Sequence, residues 1–250
     1  MAFTERFQER RDEICAYLDF LSGVEGVIRS GVPRLGPDGP AITTQQQRIL
    51  YSSVYLQLYN LVEATVTGCL DAVSVTALGE APREPGDLTS ELRGEWVRHM
   101  AKTHKDMGPE RRLELALAMC DHLVSALPVA PFTIEKGGGG NWDDEEIHRI
   151  AARIGFDLQI SAAAAAGVKA KIRDDRGALA LIVHLRNGLA HGRLSFVECG
   201  QDDSATELAS LADRVFAYLE EVVAAFDGYI AGALYLRLDL RANAPAPIGT

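Results

Sequence analysis

Three polar side chains that could together cleave a phosphodiester bond lie close together in the stretch LIVHLRNGLAHGRLSF, residues 181–196. His191 carries an imidazole, a group that takes up and releases protons near neutral pH. Arg186 can hold a phosphate through two hydrogen bonds and stabilise the charge that develops as phosphorus becomes five-coordinate, and Asn187 can orient either neighbour. The set lacks the carboxylate cluster of a Mg²⁺ nuclease. It therefore suits metal-free cleavage of RNA, in which the ribose 2′-OH attacks its own phosphate.

The helix that must carry these side chains is apolar nearly all round. Residues 178–185 read ALALIVHL, and such a helix is buried on most of its sides. Asn187 and His191 are i and i+4 and share a helix face, while Arg186 is about 140° round from His191. The glycines of the motif allow the helix to bend or end, so that the long arginine can reach the same spot. Two interpretations stay open: an active site, or a structural trio in which Arg186 is tied to a carbonyl or carboxylate and the other two cap the helix.

Basic residues are concentrated around this helix although the whole chain is acidic. The net charge is −10 and the pI is near 5.1, which argues against broad, nonspecific coating of nucleic acid. Residues 168–193 nevertheless hold six Lys and Arg against two Asp, a net charge of +4 that leaves −14 for the remainder. This stripe can bind a phosphate backbone, or it can be a solvated helix face. The candidate RNA-binding residues are Arg193, Arg176 and Arg173.

The rest of the chain reads as helices separated by loops rich in proline and glycine. Apolar residues recur with a period near 3.6 and rarely 2, which predicts an all-α fold. We expect a helical bundle with a small helical insertion or connector at about 79–160, within a single domain of residues 1–240, and a flexible tail at 241–250. The pattern predicts three long helices and four shorter ones: 43–78, 161–191 and 203–236, and 4–22, 89–104, 109–126 and 143–154.

Other kinds of site fit the sequence poorly. The four cysteines are far apart and form no CxxC pair, which predicts free, mostly buried thiols rather than a zinc site. KGGGGNW at 136–142 lacks a preceding strand and a closing Gly-Lys-Ser/Thr, so we interpret it as a connector and not as a phosphate loop. No Gly-x-Ser-x-Gly elbow is present, and the histidines do not cluster. We expect no metal and no cofactor.

The sequence also predicts where the protein resides. No run approaches about eighteen uncharged apolar residues, so no transmembrane helix is expected. The N-terminus mixes both charge signs from the fifth residue and lacks the order of a signal peptide. We therefore expect a cytoplasmic protein with no membrane contact.

RNGLAH at 186–191 resembles the Arg-polar-x(3–5)-His signature of the HEPN nucleases, small all-α proteins that act as prokaryotic toxins and defence ribonucleases. The wider chain is similar, in order and spacing, to a toxin-type HEPN subfamily first noted in cyanobacteria. The resemblance covers nearly the whole chain. The stretches that carry it are FQERRDEICAYLDFL at 7–21, LYNLVEATV at 58–66, GNWDDEEIHRIAARIGF at 140–156 and LRNGLAHGRLSFVECG at 185–200.

The resemblance implies a four-helix core and a homodimer whose active cleft lies at the interface, where both copies of the motif meet. It implies a metal-independent endoribonuclease of toxin or antiviral-defence type. In that enzyme Arg186 stabilises the phosphate and the transition state. Asn187 is the orienting residue, and His191 is the general acid/base. An antitoxin or defence-system protein would be its partner.

One position departs from a related HEPN group. That group has a tyrosine two residues after the histidine, which a nucleotidyltransferase antitoxin modifies, and this chain has Arg193 there. The difference argues against that regulatory partner, and the cation can instead extend the RNA-binding edge. The alternative function is a non-catalytic HEPN module that binds a partner protein or nucleotide and uses the motif only structurally.

Overall fold

The structure is a computed structural model that describes residues 2–28, 31–36, 38–79, 82–103, 105–136 and 141–241. Within those ranges it contains ten α-helices, one 3-10 turn at Pro85–Asp87 and no strand, which confirms the predicted all-α fold. The helices are α1 (Ala2–Ile28), α2 (Thr44–Leu78), α3 (Ser90–Ala101), α4 (Pro109–Val124), α5 (Asp144–Arg153), α6 (Ala162–Lys169), α7 (Ala178–Ala190), α8 (Phe196–Cys199), α9 (Ala205–Ala231) and α10 (Leu238–Arg241).

The central helix of the protein is α2. It opens with a capping box, in which the Thr43 side chain accepts from the Gln46 N–H while the Gln46 side chain accepts from the Thr43 N–H. α2 packs against α1, α7, α8 and α9, and α9 also contacts α1 and α7. The four helices α1, α2, α7 and α9 thus form the predicted four-helix core.

By length and composition alone, α2 could also cross a membrane, and it is the one such helix in the described part of the chain. Half of its most apolar 18-residue window is buried inside the protein. Leu58, Val62 and Val66 are almost fully enclosed by neighbouring helices. The central helix of a globular bundle passes the same test, so α2 gives only weak support for a membrane span.

The prediction of one long helix at 161–191 is wrong, because the structure has two helices there, α6 and α7. Between them Asp174 and Asp175 have φ values of 52° and 58°, and the Arg176 N–H donates to the Arg173 carbonyl at 2.9 Å. Two consecutive left-handed residues closed by this hydrogen bond form a type I′ turn. An α-helix cannot continue through such a turn.

Tertiary contacts of Arg173 hold this turn in place. Its guanidinium lies 3.5 Å from Asp203 Oδ1 and 5.5 Å from the centroid of the Tyr55 ring. The Tyr55 hydroxyl donates to Asp203 Oδ1 at 2.8 Å. Burial raises the pKa of Asp203, and the Tyr55 hydrogen bond and the Arg173 charge oppose that rise. The break in the helix therefore depends on residues far away in the sequence, which a periodic pattern does not reveal.

The other predicted helices lie close to the observed ones, with corrections at two ends. α1 continues to Ile28 instead of ending near residue 22, and α9 ends at Ala231 instead of near residue 236. All four cysteines are free; Cys69 and Cys199 are buried, but Cys120 is exposed. The glycine run at 137–140 and residues 242–250 of the predicted tail lie outside the described residues.

The segment at 79–160 shares the hydrophobic core of the bundle. Trp142, Ile147 and Ile150 are at most 1% exposed and belong to the same apolar cluster as α2 and α9. Tyr229 of α9 donates a hydrogen bond to the Ile154 carbonyl at 2.9 Å. This shared core supports the proposal that residues 1–240 form one domain.

Replacing Asp175 with glycine should stabilise the protein. A left-handed conformation costs an ordinary residue roughly 1–2 kcal/mol, and glycine's extra freedom in the unfolded chain offsets roughly 0.4–1 kcal/mol of the gain. We expect the free energy of unfolding to rise by about 0.5–1 kcal/mol in urea titrations. The exposed Lys171–Asp175 ion pair that is lost contributes little.

The same substitution at Asp213, an exposed position inside α9, is the matched control. It should lower the free energy of unfolding by roughly 0.3–0.5 kcal/mol, since glycine is the poorer helix former. Loss of stability in both variants would show that the turn is not strained.

Candidate active site

α7 ends immediately before His191 in a backbone motif that depends on glycine. Gly192 has a φ of 66°, its N–H donates to the Leu189 carbonyl at 3.2 Å, and the Arg193 N–H donates to the Gly188 carbonyl at 2.9 Å. These two bonds define a Schellman motif, whose left-handed residue is usually glycine. Gly192 thereby places His191 at the helix C-cap and Arg193 just beyond it.

One face of α7 is buried and the opposite face is turned outward. Leu179, Ile182 and Leu185 are at most 5% exposed and pack into the core. The outward face contains no Asp, Glu or Lys, and its one cation is the half-buried Arg186. Its other half-buried or exposed members are Ala180, Val183, His184, Asn187, Ala190 and His191.

Arg186, the one Lys or Arg of α7, is half-buried and held by two neighbours. Its Cζ lies 4.2 Å from the centroid of the Tyr59 ring on α2, within the range of a cation–π contact. Its Nη1 donates to Asn187 Oδ1 at 2.8 Å. No carboxylate among the described residues forms an ion pair with this guanidinium. Burial and the Glu63 charge raise the pKa of Tyr59, and the Arg186 charge opposes that rise.

Asn187 connects Arg186 to the segment that precedes α5. Its Nδ2 donates to Asn141 Oδ1 at 2.9 Å, while its Oδ1 accepts from Arg186. Asn141 is followed by Trp142, which is 1% exposed, and by Asp143, the N-cap of α5. The Asn187 amide is therefore oriented from both sides.

His191 stands apart from these contacts. Its side chain is exposed and makes no hydrogen bond within the described part of the chain. Its backbone N–H donates to the Asn187 carbonyl at 3.1 Å, which puts the two side chains one turn apart. The structure thus brings Arg186 and Asn187 into contact and leaves the imidazole open to solvent beside them. Gly192, and not the imidazole, closes the end of the helix.

Two of the three candidate RNA-binding arginines lie before the other end of α7. Arg173 pairs with Asp203, and the Arg176 guanidinium donates to the Asp174 carbonyl at 3.2 Å. From the start of α7 to Arg186 the helix rises about 12 Å. Arg193 is exposed and adjoins the motif.

Comparison with known protein families supports the HEPN resemblance of this motif and its helices. A protein-family model described as HEPN_MAE_28990-like HEPN matches residues 2–235. The chain belongs to this HEPN family. The match runs from α1 to beyond α9 and includes the segment at 79–160, which confirms the resemblance seen in the sequence. No curated protein and no solved structure matches the chain.

Two residues of this HEPN site were missed in the sequence. Tyr59 reads as one more apolar position on α2, and Asn141 lies in the stretch at 136–142 that we interpreted as a connector. Both lie inside stretches that carry the HEPN resemblance, LYNLVEATV and the segment beginning GNWDD. Their position inside these two stretches was the only sequence signal that pointed to a role at the site.

The described residues around the HEPN motif include no cluster of side chains that could hold a metal ion. No group of three or more His, Cys, Asp or Glu that could hold one occurs in the described ranges. A cavity of about 140 Å³ lies elsewhere, beside Arg173, Asp203 and Leu208. It adjoins the turn between α6 and α7, and none of its lining residues belongs to the motif.

Gly192→Ala should destabilise the protein, because an alanine at φ 66° is strained even though no atom lies within 4 Å of the added methyl group. We expect the free energy of unfolding to fall by about 1 kcal/mol in urea titrations. Gly167→Ala is the control. It sits in α6 with open space around it, and alanine there should raise stability by about 0.5–1 kcal/mol. Equal stabilisation of both variants would show that the helix end does not require glycine at position 192.

Proposed function

We propose that this HEPN protein is a metal-independent endoribonuclease of toxin or antiviral-defence type that acts in the cytoplasm. The observation that carries the proposal is Arg186, a half-buried guanidinium that has no ion pair among the described residues. Buried charges are ordinarily paired. A guanidinium whose contacts within the described residues are a ring and an amide oxygen keeps donors for a phosphate.

The proposed reaction needs only groups that the motif supplies. The ribose 2′-oxygen attacks phosphorus and loses its proton. The bond from phosphorus to the 5′-oxygen breaks, and that oxygen takes up a proton, leaving a 2′,3′-cyclic phosphate and a 5′-hydroxyl. His191 is the proton-transfer group. Arg186 stabilises the added charge on the phosphoryl oxygens, and Asn187 orients Arg186.

We also propose a homodimer in which α7 meets its copy and the two motifs form one composite site. A solvated helix face is ordinarily rich in charged residues, and the outward face of α7 has no Asp, Glu or Lys and only one cation, the half-buried Arg186. A two-fold contact through that face would bring both copies of the motif together.

Arg193 is the proposed RNA contact next to the motif, since it is exposed and follows His191. Arg176 and Arg173 would extend the contact along the strand. Arg173 is the less available of the two because it pairs with Asp203. A basic segment of an antitoxin or defence-system protein could dock on the acidic remainder of the chain.

The second candidate function is a non-catalytic HEPN module that binds a partner protein or a nucleotide. The net charge of −10 favours it, because most RNA-binding surfaces are basic. Growth of cells that express the protein distinguishes the two. Arrest that requires His191 supports the ribonuclease. Harmless expression, with loss of folding in His191→Ala, supports the module.

Purified protein should cleave RNA in excess EDTA. Arg186→Ala and His191→Ala should each lower the rate by about 100-fold or more, because each removes a group that acts on the transition state. The measurement is the initial rate on a labelled RNA. Equal cutting by all three proteins, or cutting only with added metal, would contradict the proposal.

Two arginine variants complete that assay. Arg193→Ala should weaken RNA binding uniformly across sequences and reduce the salt dependence of binding by about one phosphate contact. Arg111→Ala, on exposed α4, should leave the salt dependence unchanged. If the salt dependence of RNA binding is unchanged in Arg193→Ala, Arg193 is not part of the RNA-binding surface.

His184→Glu should convert a wild-type dimer into a monomer, because the two-fold contact would bring like charges together on an apolar face. His148→Glu, on an exposed position of α5, is the matched control and should remain a dimer. Sedimentation velocity measures both. A monomeric wild type, or a dimeric His184→Glu, would rule out pairing through α7.

A further inference from the structure

The ring of Tyr59 forms a rigid platform beneath the motif arginine. Tyr59 is 1% exposed, and Leu58 and Val62 on the same helix are equally enclosed. The ring therefore has no room to turn away from the guanidinium, whose Cζ lies 4.2 Å from its centroid. An arginine on an open surface samples many rotamers, and this one has already lost that freedom on folding.

A chain of two hydrogen bonds also holds the guanidinium. Arg186 donates to Asn187 Oδ1 at 2.8 Å, and Asn187 donates to Asn141 Oδ1 at 2.9 Å. Trp142, 1% exposed, anchors the backbone next to Asn141. An arginine has five N–H donors, and within the described residues only a donor on Nη1 is used in a hydrogen bond. The others remain for a bound phosphate.

We infer that Tyr59 and Asn141 are positioning residues of the ribonuclease site, which hold Arg186 ready for the phosphoryl group before RNA binds. The inference rests on the proposed function and deepens it. Tyr59 acts directly on the guanidinium, and Asn141 acts through Asn187. The active site thus extends from α7 to α2 and to the segment before α5. Preorganisation of this kind accelerates the chemical step more than it tightens binding of the ground state.

The test for Tyr59 is a double-mutant cycle with Arg186, measured in single-turnover cleavage in EDTA. Tyr59→Leu should lower kcat/KM about tenfold, mostly through kcat, while Tyr59→Phe keeps the ring and should stay within about twofold of wild type. In the Arg186→Ala background, Tyr59→Leu should cause no further loss, because the group on which it acts is absent.

Tyr229→Leu controls for loss of a buried tyrosine. Tyr229 is also 1% exposed, but its ring packs against Phe156 and Tyr235, which lie outside the motif. It should lower the thermal midpoint and leave kcat/KM per folded molecule unchanged. If Tyr59→Leu lowers activity equally in the wild-type and Arg186→Ala backgrounds, Tyr59 is merely structural and the inference is overturned.

Asn141→Ala is tested in the same way against Asn187→Ala. Alone it should lower kcat/KM about fivefold, because Asn187 loses one of the two contacts that orient it, and in the Asn187→Ala background it should add nothing. Additive losses would overturn the role of Asn141. These results are distinct from failure of the proposed function, which would show as absence of cleavage by the wild-type protein and would take the inference with it.

Discussion

A half-buried guanidinium with no ion pair in the described part of the chain is the constraint around which this site is arranged. Removing a charge from water is costly unless other groups compensate. For Arg186 the compensation comes from the Tyr59 ring and the Asn187 amide. Both partners need further support, Tyr59 from the core around α2 and Asn187 from Asn141. Three parts of the chain must therefore meet correctly before the motif has its geometry.

The helices were predictable where local pattern decides them. The 3.6-residue period located α2 and α5 closely, because their buried faces are continuous and their N-caps, Thr43 and Asp143, are typical. The break between α6 and α7 was not predictable, because two aspartates adopt left-handed conformations in a turn that tertiary contacts of Arg173 help to hold in place. Arg173 reaches Tyr55, 118 residues away in the sequence, and no periodic pattern contains that information.

The site residues also fall into those that local sequence reveals and those that only the fold brings together. Arg186, Asn187 and His191 were found in the sequence because their spacing is local and the motif resembles HEPN nucleases. The shared face of Asn187 and His191 is compatible with the structure, whereas Arg186 turns towards Tyr59 and not towards His191. Tyr59 and Asn141 contribute through space. The sequence pattern places Tyr59 in the core and Asn141 in a connector, so only the packed structure identifies them as neighbours of the motif.

The central claim is that the ribose 2′-OH is the nucleophile and that the motif supplies all of the catalytic groups. The chemical identity of the new RNA ends tests it most directly, and mass spectrometry of the cleaved oligonucleotides in EDTA measures it. The account predicts a 2′,3′-cyclic phosphate on one fragment and a 5′-hydroxyl on the other. A 3′-hydroxyl paired with a 5′-phosphate would contradict it, because those ends require water as the nucleophile.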